Sequence, residues 1–305
     1  MNPSHYWVPP QWLVKHPKID DKDDADDSLY RWFTAWQRQQ KSWFSKSGQN
    51  PGVYFNITPG LKYGIVQVED LLEDLRDWKY MYLAGRMHKP TLGLSTLVEE
   101  NAAFTQTVQA QSEHNLPAAL SSALLLLSSP SKSSSSLSSP RQMSSFSCSE
   151  VELYHTIAGL SYHGDFRMKM AAEDPQKVQR LVESSGQLPR FRALYQPAIQ
   201  KLVQQGVLYN NNEHQLTWDL MATTASTTTT TRAILQQQLP TAFRTLNDNN
   251  MKNNTEFNTE FLSQQLAARV AASARIQSAK GLVTAGPSKA FWYAARKLSK
   301  GLLRR

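Results

Sequence analysis

Read for the alternation of apolar and polar positions, the chain divides into short β-type runs, helical stripes and stretches that show neither period. "GVYFNI" (Gly52 to Ile57) and "LKYGIVQV" (Leu61 to Val68) are β-rich runs separated by "TPG", and they predict a hairpin. From Glu69 to Leu83, Leu71, Leu72, Leu75, Trp78, Tyr82 and Leu83 share one face of a predicted helix, with Gly85 just beyond as its C-cap. "LPAALSSALLLL" (Leu116 to Leu127) is too short to span a bilayer and predicts a core helix. Further helices are predicted over "EVELYHTIAGLSY", over Asp174 to Val182 and over Leu188 to Gln204. "GVLYNNNEHQLTW" (Gly206 to Trp218) reads as two short strands around an Asn-rich turn, and several helices ending in a hairpin predict a winged-helix-like module. Nearer the start, Ser28 to Phe44 sets Trp32, Trp36 and Trp43 at helical spacing behind Ser28 as N-cap, the pattern of a core stripe.

The intervening stretches are low in complexity. "HPKIDDKDDADD" holds six Asp within eight residues; its D-x-D spacing invites a metal-site reading, but no apolar strand flanks it, and a solvated loop fits better. Thirteen of the 22 residues from Ser128 to Ser149 are serine, which predicts a disordered insertion. Thr223 to Thr231 and "NDNNMKNN" bracket a weakly ordered stretch with a helix near Ala233 to Leu246, and the last ordered region begins near Phe261. No internal repeat is evident.

Composition narrows the picture. With 305 residues the chain can bury a sizeable core, and no run reaches the length of a membrane-spanning helix. A single cysteine, Cys148, excludes an intramolecular disulfide and a cysteine-based zinc cluster, consistent with a reducing compartment. The first 30 residues show neither an Arg-rich presequence nor a secretory apolar run, so no targeting segment is expected at Met1. The net charge of +8 is unevenly placed: nine of the 33 basic residues follow Glu260, where no acidic residue occurs. At 100° per residue from Phe291, Ala295, Leu298 and Leu302 fall on one face, with Lys289, Arg296, Lys297, Lys300 and Arg304 opposite. Trp292 and Tyr293 lie outside the basic arc, and such a segment suits an anionic membrane surface; docking on the protein's own acidic surface or on nucleic acid are the competing readings.

Self-contained catalytic signatures are absent: there is no phosphate-binding glycine loop, no dinucleotide fingerprint, no H-E-x-x-H and no G-x-S-x-G. The seven histidines lack metal-ligand spacing, and His163 beside Asp165 and Arg167 is as consistent with a structural ion pair as with a site. What remains is a basic cluster. Lys62 on the predicted strand, with Arg86 and Lys89 after the helix, could converge on a phosphate, because cations on rigid elements lose little entropy on each contact. The competing reading is a solvated helix with ordinary charged ends.

"GVYFN", "LKYGIVQVEDLLEDLRDWKYMYLAGRMHKP", an interrupted "AALLLL", "SEVELYHTIAGLSYHGDFRM" and "QSAKGLVTAGPSKAFWYAARKLSK" occur in this order. Together they closely resemble the mitochondrial phosphatidate cytidylyltransferase family, the translocator assembly and maintenance type of CDP-diacylglycerol synthase. The resemblance implies an α+β chain: part of a polymerase-beta-like nucleotidyltransferase domain (1–112), a helical winged-helix-like domain (113–220, with the Ser-rich insertion 128–149), a low-complexity linker (221–260) and a basic membrane-binding tail (261–305). It implies a peripheral protein on the matrix side of the mitochondrial inner membrane. The implied reaction converts CTP and phosphatidic acid to CDP-diacylglycerol and pyrophosphate with Mg²⁺, for cardiolipin synthesis, without a nucleic-acid partner.

On that reading Lys62, Tyr63, Arg86, Lys89 and His5 contact substrate, and Phe291, Trp292, Arg296, Lys297, Leu298, Lys300 and Leu302 contact membrane, with Lys280, Gly281 and Gly286 in the loop before them. The family carries a Gly-Ser turn and strand-borne metal-binding Asp residues upstream of a "HYS" motif, to which "SHYW" (Ser4 to Trp7) corresponds. No other segment supplies those carboxylates, so no catalytic or metal-binding residue is assigned. A longer version of the gene is expected to carry them, with a non-catalytic lipid-surface or assembly protein as the alternative.

Overall fold

A computed structural model describes residues 51–58, 61–91, 102–129, 145–169, 174, 176–212, 215–223, 229–244 and 259–285; the side chains of the first two strands lie outside the description. Strand β1 (Tyr54–Thr58) pairs antiparallel with β2 (Leu61–Ile65) in the expected hairpin, with Asn56 opposite Tyr63 and Ile57 opposite Lys62.

Helix α1 (Val68–Asp77) follows, its first turn carrying Glu69 and Asp70, which suit the positive end of the helix dipole. It stops well before the predicted Leu83. Trp78 turns left-handed (φ 51°) as C-cap, and the chain then coils around the carboxylate of Asp74. Gly85, expected as the cap, lies inside a separate short helix, α2 (Ala84–Met87). The helical period continued through Trp78 and Tyr82, but an aspartate that gathers backbone donors outcompetes the helix for them.

Helix α3 (Ala102–Ala110) runs through a π-turn (Gln111–Asn115) into α4 (Leu116–Leu127). Pro117 cannot donate to the carbonyl four residues back, and the wide turn lies just before it. The division expected between residues 112 and 113 therefore falls inside a continuous helical run. As its all-round apolar character demands, α4 is a core helix with Leu120, Leu124 and Leu125 fully buried.

The Ser-rich interval is ordered at both ends, contrary to the disordered insertion expected over 128–149. Ser128 is buried; its Oγ donates to the Leu124 carbonyl (2.7 Å) and accepts from Trp218 Nε1 (2.8 Å). Ser145–Ser149 form strand β3. Serine content concealed a period-2 run in which Cys148 is buried and Phe146 stacks on Trp218 (6.1 Å between centroids). Ser149 then caps α5 (Glu150–Leu160) by accepting from the Glu152 N–H.

Helices α6 (Phe166–Lys169), α7 (Lys177–Glu183) and α8 (Gln187–Gln204) follow, and strands β4 (Tyr209–Asn212) and β5 (Gln215–Asp219) close a second sheet of order β3-β5-β4, antiparallel throughout. Helix α9 (Thr231–Gln237) buries Thr231 and Leu235, and Leu239 and Phe243 follow it inward, so the interval 221–260 expected as a linker contributes to the core. The long helix α10 (Thr259–Ala285) buries Leu262, Leu266, Val270 and Ala274 at four-residue spacing; this part of the expected 261–305 tail is core rather than membrane surface. One hydrophobic cluster runs from Leu72 and Trp78 through Leu153 and Tyr195 to Trp218 and Leu266.

The described chain is thus a mixture of helix and sheet, and none of its helices is long and apolar enough to cross a membrane. The Asp-rich segment, the Trp32–Trp43 stripe, His5 and the membrane-contact residues from Phe291 to Leu302 lie outside the described residues.

Candidate functional site

The turn that ends α1 is organised by a single side chain. Asp74 is fully buried, and its Oδ1 accepts the backbone N–H groups of Tyr80 (2.8 Å) and Met81 (2.9 Å). Oδ2 accepts those of Tyr82 (3.1 Å), Leu83 (2.7 Å) and Ala84 (3.0 Å). Burial raises the carboxyl's pKa while the N–H groups act to lower it. From α10, Arg269 donates to the Trp78 carbonyl (2.8 Å), and Ser273 Oγ donates to the Tyr80 carbonyl. The loop is held on both sides before it delivers α2.

On α2 the guanidinium of Arg86 lies over the Tyr82 ring (4.7 Å to the centroid) and donates to its hydroxyl (2.9 Å). One turn further, Lys89 Nζ donates to the Gly85 carbonyl (2.7 Å) and to Ser161 Oγ (2.6 Å), at the end of α5. A Cβ on Gly85 would lie 2.4 Å from Ser161 Cβ, so the approach of these segments requires glycine. Lys89 also sits over the Tyr162 ring (4.7 Å), and Lys177, the first residue of α7, approaches the same ring at 5.1 Å. Burial, with the fields of Arg86 and Lys177, pulls the Lys89 ammonium down to about 7. Among the described residues no carboxylate contacts Lys89.

Behind the cluster lies a buried polar network. Asn115, placed by the π-turn, accepts on Oδ1 from Trp78 Nε1 (2.7 Å) and His88 Nε2 (3.0 Å), while its Nδ2 donates to the Ala84 carbonyl (3.2 Å) and Gln111 Oε1 (2.8 Å). Oδ1 can only accept, which puts the His88 proton on Nε2; burial and the neighbouring Lys89 depress this ring to about 3, so it is neutral. Tyr195 donates to the His88 carbonyl (2.9 Å). The backbone on both sides of Arg86 is thereby fixed from the π-turn, α8 and α10.

The structure brings Arg86 and Lys89 together, three residues apart on one turn. Lys62 and Tyr63 lie on β2, outside the described side chains, and His5 is outside the described residues. Lys280, expected in a loop, is buried within α10; its Nζ lies 3.3 Å from the Val53 carbonyl, and burial brings it to about 7, partly offset by Asp70. Arg167 clasps Asp165 through Nε (3.0 Å) and Nη2 (2.6 Å), which is the structural ion-pair reading, and His163 meets Ser263 (2.7 Å). Sequence reasoning missed Lys177, Ser161 and Tyr162 as neighbours of Lys89; the "GLSY" block marked the last two, but nothing local linked them to residue 89.

Magnesium does not fit these residues. Among the described residues no group of three His, Cys, Asp or Glu could hold a metal ion. Of the buried carboxylates, Asp74 is saturated by backbone donors, Asp165 is clasped by Arg167, Glu150 is held by Arg192 (2.8 and 2.7 Å), and Asp70 lies in the field of Lys280.

A family model described as mitochondrial phosphatidate cytidylyltransferase matches residues 28–300. A Xenopus laevis protein of that name is 34% identical over 315 residues, covering 95% of this chain and 85% of the relative. Namesakes from Drosophila melanogaster and Dictyostelium discoideum are 42% and 38% identical over 158 and 155 residues, covering about half of this chain. Those alignments span 39% and 31% of the two relatives' own lengths. Each of the three carries an enzyme's name.

Proposed function

This chain belongs to the mitochondrial phosphatidate cytidylyltransferase family, and from that membership and the geometry of the Arg86–Lys89 turn we propose that it joins CTP to phosphatidic acid, releasing pyrophosphate and forming CDP-diacylglycerol. In the proposed reaction a phosphate oxygen of the lipid forms a bond to the α-phosphorus of CTP while the bond from that phosphorus to the bridging oxygen breaks. Charge builds on the phosphate oxygens, and fixed cations are the protein's means of offsetting it. Arg86 and Lys89 are suited to this because the loop that carries them is clamped, so little entropy is lost on contact.

The observation that carries the reading is Lys89: a half-buried ammonium whose own contacts are neutral oxygens and a ring, beside two further cations. A buried ammonium held by neutral oxygens is costly alone and becomes favourable with a phosphate present. Lys62, Tyr63 and His5 belong to the same proposal on the resemblance. The magnesium requirement belongs to the reaction, and no step is drawn through it, since the described residues do not fit a metal.

The sheet order β3-β5-β4, with α4, α5 and α8 preceding or joining the strands, supports a winged-helix module in the second half. A nucleotidyltransferase unit ahead of it, cardiolipin synthesis as the destination, and a matrix-side, peripheral seat on the inner membrane complete the proposal. The basic stripe of Lys289 to Arg305 would hold the protein on anionic lipid.

Turnover tests it. The protein purified from its own cells, given radiolabelled CTP and phosphatidate vesicles, is expected to form labelled CDP-diacylglycerol. Intact vesicle binding without any product would overturn the enzymatic reading in favour of a lipid-surface protein.

A further inference from the structure

We propose that Asn115 is a positioning residue for phosphate binding: fully buried behind the Arg86–Lys89 turn, it sets where those two cations stand without itself meeting the ligand. The inference rests on the function proposed above for what the turn binds, and it gives the π-turn a role that neither the sequence reading nor the family resemblance assigned.

The backbone from Trp78 to His88 is held in an unfavourable shape. Trp78 (φ 51°) and Met81 (φ 55°) are, among the described residues, the two non-glycine residues with left-handed backbone, and both are bulky. Opposite them the chain widens into the π-turn Gln111–Asn115, an irregularity that re-aims the side chains it carries. Such conformations persist only where the surroundings over-determine them. Asn115 supplies that determination. Its Oδ1 accepts from Trp78 Nε1 and His88 Nε2, at the two ends of the segment, and its Nδ2 donates to the Ala84 carbonyl between them and to Gln111 Oε1. Two donors meet the oxygen and two acceptors meet the nitrogen, so the amide fits in one orientation and uses its whole hydrogen-bonding capacity.

The hold on the segment is divided by chemistry. Asp74 takes the backbone N–H groups of residues 80 to 84, whereas the π-turn takes the carbonyls: Ala84 through Asn115, and Met87 through Gln111 Nε2 (2.5 Å). Those two carbonyls flank Arg86 on α2, and Lys89 follows His88 directly. With Asp74 alone, α2 keeps its starting point but can rotate about it. Lys89 must reach Ser161 Oγ at 2.6 Å and the Tyr162 ring, contacts that a small rotation of α2 would break.

CTP and inorganic pyrophosphate are titrated by calorimetry into the full chain and its variants, well below each unfolding midpoint. Asn115→Leu is expected to weaken both ligands by roughly tenfold, and Gln111→Leu, which loosens only the outer half of the hold, by several-fold. Leu216→Ala in β5 serves as the control: it removes buried apolar volume in the second sheet, and should lower the midpoint while leaving both affinities unchanged. The pH profile gives a second readout. A displaced Lys89 leaves its buried seat, so the fall of CTP affinity with rising pH should move to higher pH in Asn115→Leu. Lowered midpoints in Asn115→Leu and Gln111→Leu with affinities and profile as in the unaltered chain would overturn the proposal, as would a Leu216→Ala chain that loses both ligands equally. Weakened pyrophosphate binding by these variants of a protein that forms no CDP-diacylglycerol would sink the reaction while leaving the role of Asn115 standing.

Discussion

Arg192 and Arg167 each reach a buried carboxylate, whereas the ammonium of Lys89 reaches two neutral oxygens and the ring of Tyr162. Both arrangements lie against α5, a few residues apart. The first neutralises charge within the fold: Glu150 and Asp165 are buried, and an arginine fork supplies the one with two hydrogen bonds and the other with three. In the second, an ammonium is buried against neutral oxygens and a ring, which costs folding free energy and is offset where a ligand brings the opposite charge. On the proposed function, the difference separates positive side chains that hold the protein together from one that acts on a ligand.

Several substitutions would break or sharpen this contrast. The largest effect is expected at the residue that shapes the ligand-facing turn. Asp74→Ala leaves five backbone N–H groups, three of them buried, without their acceptor, and a loss of about 3–5 kcal/mol in urea unfolding should accompany loss of CTP binding. Gly85→Ala forces a methyl against Ser161, and a destabilisation of about 1–3 kcal/mol is expected with weakened CTP binding, since Lys89 and Ser161 move apart. Arg192→Met should separate the two readouts. It removes the arginine fork from the buried Glu150 carboxylate, which keeps Tyr154 as a neighbour, and should cost about 1–2 kcal/mol, moderated by solvent around the half-exposed arginine, with CTP affinity unchanged.

The smallest signal is in pH. Lys89 lies at about 7 in the folded chain and 10.5 when solvated, so between those values the unfolded chain binds more protons and stability rises with pH; Lys280 contributes in the same sense. CTP affinity should move the other way, falling several-fold as pH climbs through about 7 and the ammonium that faces Arg86, Lys177 and Tyr162 discharges. Titration calorimetry from pH 6 to 9 measures the second slope, and a flat profile would count against Lys89 as a ligand group.

Much of this was legible in the chain. The hairpin, the all-apolar α4, α5, α8 and the β4–β5 pair follow from period and turn residues alone, because each is decided by contacts between near neighbours in sequence. The failures share a physical cause. Asp74 ended α1 early through bonds to residues six to ten positions away, which no helical period encodes. Serine masked the alternation of Phe146 and Cys148 in β3. In α10 the basic composition drew attention to the surface, while a stripe of Leu262, Leu266 and Val270 turned the helix inward and took Lys280 with it. For the site, Arg86 and Lys89 were visible because they share one turn. Lys177 was not, since only the docking of α7 beside Tyr162 brings it to Lys89, and the family itself was recognised from motif blocks rather than from period or charge.

The affinity of the Lys89→Met chain for CTP, set beside its unfolding midpoint, tests the central claim most directly. Removing a half-buried cation whose contacts are neutral oxygens and a ring should leave the midpoint unchanged or raised while CTP binding weakens by roughly tenfold or more. An unaltered affinity for CTP would contradict the account.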